Sequence, residues 1–132
     1  TEDYPGAREL NSERDYLTLY CDAAPFQLRG DASASVMHSE VALDRILARF
    51  PNAKFVVLVR EPIAAVNSFH GELLQNLSED VENFERAWHL QSARADGKAI
   101  PATCKEPKFL QYAEIFRYRD QLPAFFEKVP AE

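Results

Sequence analysis

Lys54-Phe55-Val56-Val57-Leu58-Val59-Arg60-Glu61-Pro62-Ile63-Ala64-Ala65-Val66-Asn67-Ser68 is the stretch from which the rest of the chain takes its reading. Its first half is a continuous apolar run rich in β-branched residues. That pattern suits a strand buried on both faces of a parallel sheet. Pro62 suits the first turn of a helix, where its missing N–H costs nothing. The stretch therefore reads strand, sharp turn, helix. Arg60 falls at the carboxyl end of the strand and Ser68 two turns into the helix. Ligands of open α/β sheets bind at the carboxyl ends of strands. A helix N-terminus there favours an anion, and a guanidinium fork matches phosphate oxygens. One reading is an anion site made by Arg60, Ser68 and the turn between them. The plainer one is a solvated strand end followed by a serine bonded to its own helix.

Upstream, Phe26-Gln27-Leu28-Arg29-Gly30 alternates like a short strand and runs into Asp31-Ala32-Ser33. Ser39 to Phe50 carries Leu43, Ile46, Leu47 and Phe50 on one helical face and stops at Pro51-Asn52. Strand, helix, strand from Phe26 to Arg60 predicts a right-handed βαβ crossover. In that arrangement Asp31 and Ser33 emerge at the same sheet edge as Arg60 and line a cleft with it. Otherwise Ser33, Ser35 and Ser39 are ordinary helix caps.

The segments Val-Leu-Val-Arg-Glu-Pro with Ser68, and Gly30-Asp31-Ala32-Ser33-Ala34-Ser35, resemble two motifs of the sulfotransferases that use 3′-phosphoadenosine 5′-phosphosulfate (PAPS). In that family the arginine and the serine eight residues later hold the cofactor's 3′-phosphate, so the resemblance implies cofactor-binding roles for Arg60 and Ser68. It implies cleft positions for Asp31 and Ser33. Tyr112, Phe116 and Tyr118-Arg119 resemble a family helix further on. Ala34, Val36 and Ala32 depart from residues common in the family. The resemblance covers roughly residues 12 to 130. It implies an α/β fold: a truncated, helix-rich parallel-sheet domain of the P-loop-like sulfotransferase type, with about two parallel strands. Residues 1–132 are then the 3′-phosphate-binding half of a longer domain. The implied activity is sulfuryl transfer from PAPS to an acceptor hydroxyl or amine, on a small molecule or carbohydrate. No Gly-rich phosphosulfate loop occurs in the sequence, and no catalytic base is assigned, so the chain alone is expected to be inactive. A P-loop-type nucleotide kinase fragment and a non-catalytic α/β interaction domain are the alternatives.

The remaining features bound this picture. A net charge of −6 over 132 residues argues against a general nucleic-acid surface. The apolar run Phe55 to Val59 is too short to cross a bilayer. Cys21 and Cys104 read as reduced cysteines of a cytoplasmic protein. His38, His70 and His89 have no ligand spacing, and no metal is assigned. Three further helices are expected. One starts at Ser12-x-x-Asp15, with Tyr16 and Tyr20 packing. One is capped by Ser78 and ended by Gly97, with Trp88 in the core. One runs from Phe109 to Gln121 and is broken by Pro123. His70 reads as a packing histidine, and Lys105 and Lys108 as solvated loop lysines. An uncovered strand edge makes a homodimer plausible.

Overall fold

The computed structural model describes Tyr4 and residues 12–25 and 27–129. Among these residues there are helices and loops and no strand or sheet. The α-helices are α1 (Glu13–Thr18), α2 (Ala42–Arg49), α3 (Pro62–Gln75), α4 (Phe84–His89), α5 (Gln91–Ala95), α6 (Tyr112–Ile115) and α7 (Tyr118–Lys128). Short 3₁₀ turns cover Ala34–Met37 and Pro107–Leu110. The expected parallel α/β sheet and its βαβ crossover are therefore corrected to a helical architecture.

The physical reason lies in pairing. Residues 53–61 have no regular secondary structure, and no described residue completes a ladder with them. Phe55 and Val57 are half-buried, while Val56, Leu58 and Val59 are 86, 90 and 54% exposed. The segment thus buries one face, with the Phe55 ring edge-on to Phe125 of α7 at 5.5 Å, and leaves the other in water. Of the first expected strand, Phe26 lies outside the described residues. Gln27 to Gly30 is irregular, with Leu28 fully exposed.

Local signals at helix ends fare better. Pro62 is the first residue of α3, and Ser39 Oγ accepts the Ala42 N–H ahead of α2. Two helices end in the same left-handed turn. Gly97 (φ 77°) closes α5, with Lys98 N donating to Ala93 O. Leu77 (φ 62°) closes α3, with Ser78 N donating to Leu73 O. The expected Ser78-capped helix starts later, at α4, where Asn83 Oδ1 accepts the Arg86 N–H. Glu79 turns back on the Asp80 and Val81 amides instead, and that local bonding competes with helix formation. Nor does Pro123 end a helix: α7 runs through it. Burial of Phe125 just beyond accompanies that continuation.

The core lies in the second half, where Val66, Leu73, Ala87, Leu110 and Tyr112 form one buried cluster. Phe69 packs edge-on to Phe109 and Phe116, and Trp88 stacks on Tyr112. Trp88 is 37% exposed, so it covers the core rather than filling it. No helix among the described residues is long and apolar enough to cross a membrane.

Candidate functional site

Arg60 lies two residues before Pro62, the first residue of α3, the longest helix described. Arg60 is exposed, and no ion pair or hydrogen bond of its side chain occurs among the described residues. Ser68 is exposed on the same helix, six residues after Pro62, or about 9 Å along the axis. Asn67 Nδ2 donates back to Ile63 O, which fixes the turn beside it.

Glu61 changes the electrostatics expected here. Its carboxylate accepts the Ile63 and Ala64 N–H groups at 3.0 and 2.7 Å. Those two bonds, outweighing a small opposing effect of burial and aided by Arg60, hold its carboxyl below the usual carboxylate range. The helix N-terminus is thus occupied by the chain's own carboxylate, which leaves Arg60 and Ser68 as the groups open to an external anion.

Asp31 and Ser33 form a separate arrangement. Asp31 Oδ1 accepts the Ser33 N–H at 2.8 Å, and the Tyr16 hydroxyl bonds to the Asp31 carboxylate. Partial burial raises the Asp31 pKa, but the bonds from Ser33 and Tyr16 outweigh it and the net shift is downward. Tyr16 Oη lies 3.3 Å from Tyr20 Oη, and Tyr20 Oη donates to Gly30 O at 3.1 Å. The two tyrosines that sequence reading assigned to packing therefore tie the Gly30-Asp31 loop to α1. Burial first, then Tyr20 and Asp31, push the Tyr16 phenol well above its ordinary range. No hydrogen bond or ion pair joins Asp31 or Ser33 to Arg60 or Ser68 among the described residues.

The strongest polar constellation is one the sequence did not disclose. Glu79 and Arg94 are each 2% exposed and Tyr112 is fully buried. Arg94 Nη1 and Nη2 donate to the two Glu79 oxygens at 2.6 and 2.7 Å, a fork-to-fork pair. Tyr112 Oη donates to Glu79 Oε2 at 2.6 Å, and Arg94 Nε donates to Ala99 O. Burial pushes the Glu79 pKa up. The Arg94 and Tyr112 bonds and the Val81 N–H overcome it and bring the carboxyl down to about 2. Beside this network, His70 Nε2 lies 2.9 Å from Val81 O and its ring packs on Phe84 and Tyr112, the packing role expected of it. Every polar atom of the triad has a partner, so the network's chemistry is structural. The signal was out of reach because Glu79, Arg94 and Tyr112 share no local spacing.

A groove of about 640 Å³ separates the Ala34–Met37 turn and α2 from α6 and α7. At its wall Gln121 Nε2 donates to Glu114 O and Ile115 O and lies 3.3 Å from His38 Nδ1. Burial lowers the His38 pKa. The groove's cations face carboxylates: Arg117 pairs with Glu114 and Asp120, and Lys128 with Asp44. Lys108 lies over the Tyr4 ring rather than in open solvent.

Comparison with family models, with curated proteins and with solved structures gives no match.

Proposed function

We propose that this chain carries the 3′-phosphate-binding part of a PAPS-dependent sulfotransferase, which moves a sulfuryl group to an acceptor hydroxyl or amine. The supporting observation is local. An exposed Arg60, with no side-chain ion pair among the described residues, stands just before α3, and an exposed Ser68 lies on that helix. The reading rests on that motif and its geometry and draws nothing from the overall fold. The ligand is PAPS or its product, adenosine 3′,5′-bisphosphate, and the acceptor is a small molecule or carbohydrate. The setting is the cytoplasm, with Cys21 and Cys104 as free thiols.

In such a reaction the guanidinium and the hydroxyl bind and orient the cofactor through its 3′-phosphate. Positioning and charge stabilisation supply most of the rate in transfers of this type. No side chain here is assigned to the transferring group, and the isolated chain is expected to bind without turnover.

Calorimetric titration with adenosine 3′,5′-bisphosphate tests the proposal. Binding that disappears in Arg60→Ala and weakens in Ser68→Ala is the expected result. A preference for ATP with magnesium would favour a nucleotide kinase. Binding of neither, or binding indifferent to Arg60, overturns the assignment. The exposed apolar edge at Val56 and Leu58 favours a second reading, a non-catalytic interaction domain.

A further inference from the structure

We propose that His38 and Gln121 form an acid-released latch: protonation of His38 breaks its hydrogen bond to Gln121 and frees the Ala34–Met37 turn from α7, opening the groove between them. The surrounding bonds fix the direction of this one. Gln121 Nε2 donates to Glu114 O at 2.9 Å and to Ile115 O at 3.2 Å, so the nitrogen end of the amide faces this cluster. The same nitrogen lies 3.3 Å from His38 Nδ1. An amide NH2 only donates, so Nδ1 is the acceptor and the neutral ring carries its proton on Nε2. Protonation places a hydrogen on Nδ1, and two donors then face each other. Turning the amide over does not restore the contact, because Oε1 would then lie against the Glu114 and Ile115 carbonyls. The His38 bond is also the longest of the three that Nε2 makes, and so the first to yield.

The pair joins the two walls of the groove of about 640 Å³. His38 directly follows the Ala34–Met37 turn, and its N–H closes that turn on Ser35 O. Gln121 lies near the start of α7. At the other end of α7, Lys128 Nζ donates to Glu40 O and Asp44 Oδ2, which ties α7 to α2. That second tie stays charged above about pH 5, so release is confined to the turn.

The surroundings offer the imidazolium no compensation. The charged side chains lining the groove are Glu40 ahead of α2, Lys108 of the second 3₁₀ turn, Glu114 of α6, Arg117 just before α7, and Asp120 and Lys128 on it. Arg117 occupies Glu114 and Asp120, Lys128 occupies Asp44, and Lys108 lies over the Tyr4 ring. No carboxylate bonds to His38 among the described residues, and burial alone lowers its pKa. A buried histidine with a lowered pKa binds its proton less readily closed than open. The latch therefore holds fully above the ordinary imidazole value of about 6.5 and loosens as pH falls through the lower folded one. Opening one surface turn is a local event that costs the whole fold little.

NMR on the full chain between about pH 8 and pH 5 tests the proposal. At pH 8 the His38 proton is expected on Nε2, and its titration midpoint should lie below that of the exposed His89. The Gln121 side-chain amide signals should move with the His38 midpoint. Order parameters of residues 34–37 should fall with the same midpoint, from the rigid range of about 0.85 towards about 0.6. His38→Asn puts a non-titrating amide oxygen where Nδ1 stands, and should keep the turn rigid at pH 5. A His38 proton on Nδ1 at pH 8, or a midpoint at or above that of His89, overturns the proposal. So does a turn that stays rigid through the His38 titration, or one that loosens equally in His38→Asn. None of these readouts uses a cofactor, so the outcome is separate from that of the titration at Arg60.

Discussion

Glu79 and Val57 stand for two ways of treating groups that need partners. Around Glu79 the chain takes a full charge out of water and satisfies it completely, with Arg94, Tyr112 and two backbone amides converging on one carboxylate. Around Val57 it keeps a segment without regular secondary structure, whose main-chain donors and acceptors from Phe55 to Arg60 find nothing in the described structure. The difference follows where the apolar surface goes. Residues 62–129 hold Val66, Leu73, Ala87, Leu110, Tyr112, Ile115 and Phe125 in the interior, while among the described residues of 12–61 only Ala42 and Leu43 are buried. The Arg60/Ser68 motif sits on the seam, with Arg60 on the open side and Ser68 on the helix that the core anchors.

The largest effect expected from this contrast is at the buried pair. Arg94→Met leaves the Glu79 carboxylate buried and uncompensated, and should cost about 3–5 kcal/mol in denaturant unfolding. Glu79→Leu together with Arg94→Met removes both charges and should be milder than the sum of the single changes. Additivity would mean that the two residues do not act as a pair. Tyr112→Phe keeps the packing but takes one donor from Glu79, at a cost of about 1–3 kcal/mol.

Acid should act on the same half. The Glu79 carboxyl titrates at about 2 in the folded chain, below its ordinary value. A depressed carboxyl contributes stability that is fully present above the unfolded pKa and is lost as pH falls through the folded one. The melting temperature is therefore expected to hold steady down to about pH 5 and then fall. The Glu79→Leu/Arg94→Met variant should show a shallower fall. An identical acid profile in the two proteins would remove Glu79 as its source.

A smaller effect separates the two left-handed helix ends. Gly97 adopts φ 77° with no side chain to strain, whereas Leu77 adopts φ 62° with its side chain 63% exposed. Leu77→Gly should stabilise the chain by about 1 kcal/mol, and Gly97→Leu should destabilise it by a similar amount. Smallest of all, Leu58→Lys should change stability by less than about 0.5 kcal/mol, because its side chain is already in water.

What the sequence disclosed was what neighbouring residues settle among themselves. Pro62 opening α3, Ser39 ahead of α2 and Gly97 closing α5 are decided within one helical turn. The apolar, β-branched character of Phe55 to Val59 was equally legible, but the strand expected there has no regular secondary structure. A ladder partner was not legible, because a ladder needs a second strand and an apolar pattern cannot say whether one is present. Glu79, Arg94 and Tyr112 escaped for the same reason: tertiary packing brings them together over 15 and 33 positions. Pro123 misled because a lost hydrogen bond was weighed without the burial of Phe125 beyond it. At the candidate site, Arg60 and Ser68 were readable from spacing. The Glu61 carboxylate caps the same helix from its place just before Pro62, a position where an acidic side chain reaches the first free amides.

Amide hydrogen exchange tests the contrast most directly. The amides of Phe55 to Val59 should exchange almost as fast as an unfolded peptide, while those of Leu73, Ala87 and Ile115 exchange slowly. Slow exchange of Phe55 to Val59, equal to that of Leu73, would mean that the segment already has its hydrogen-bond partner and would contradict the account.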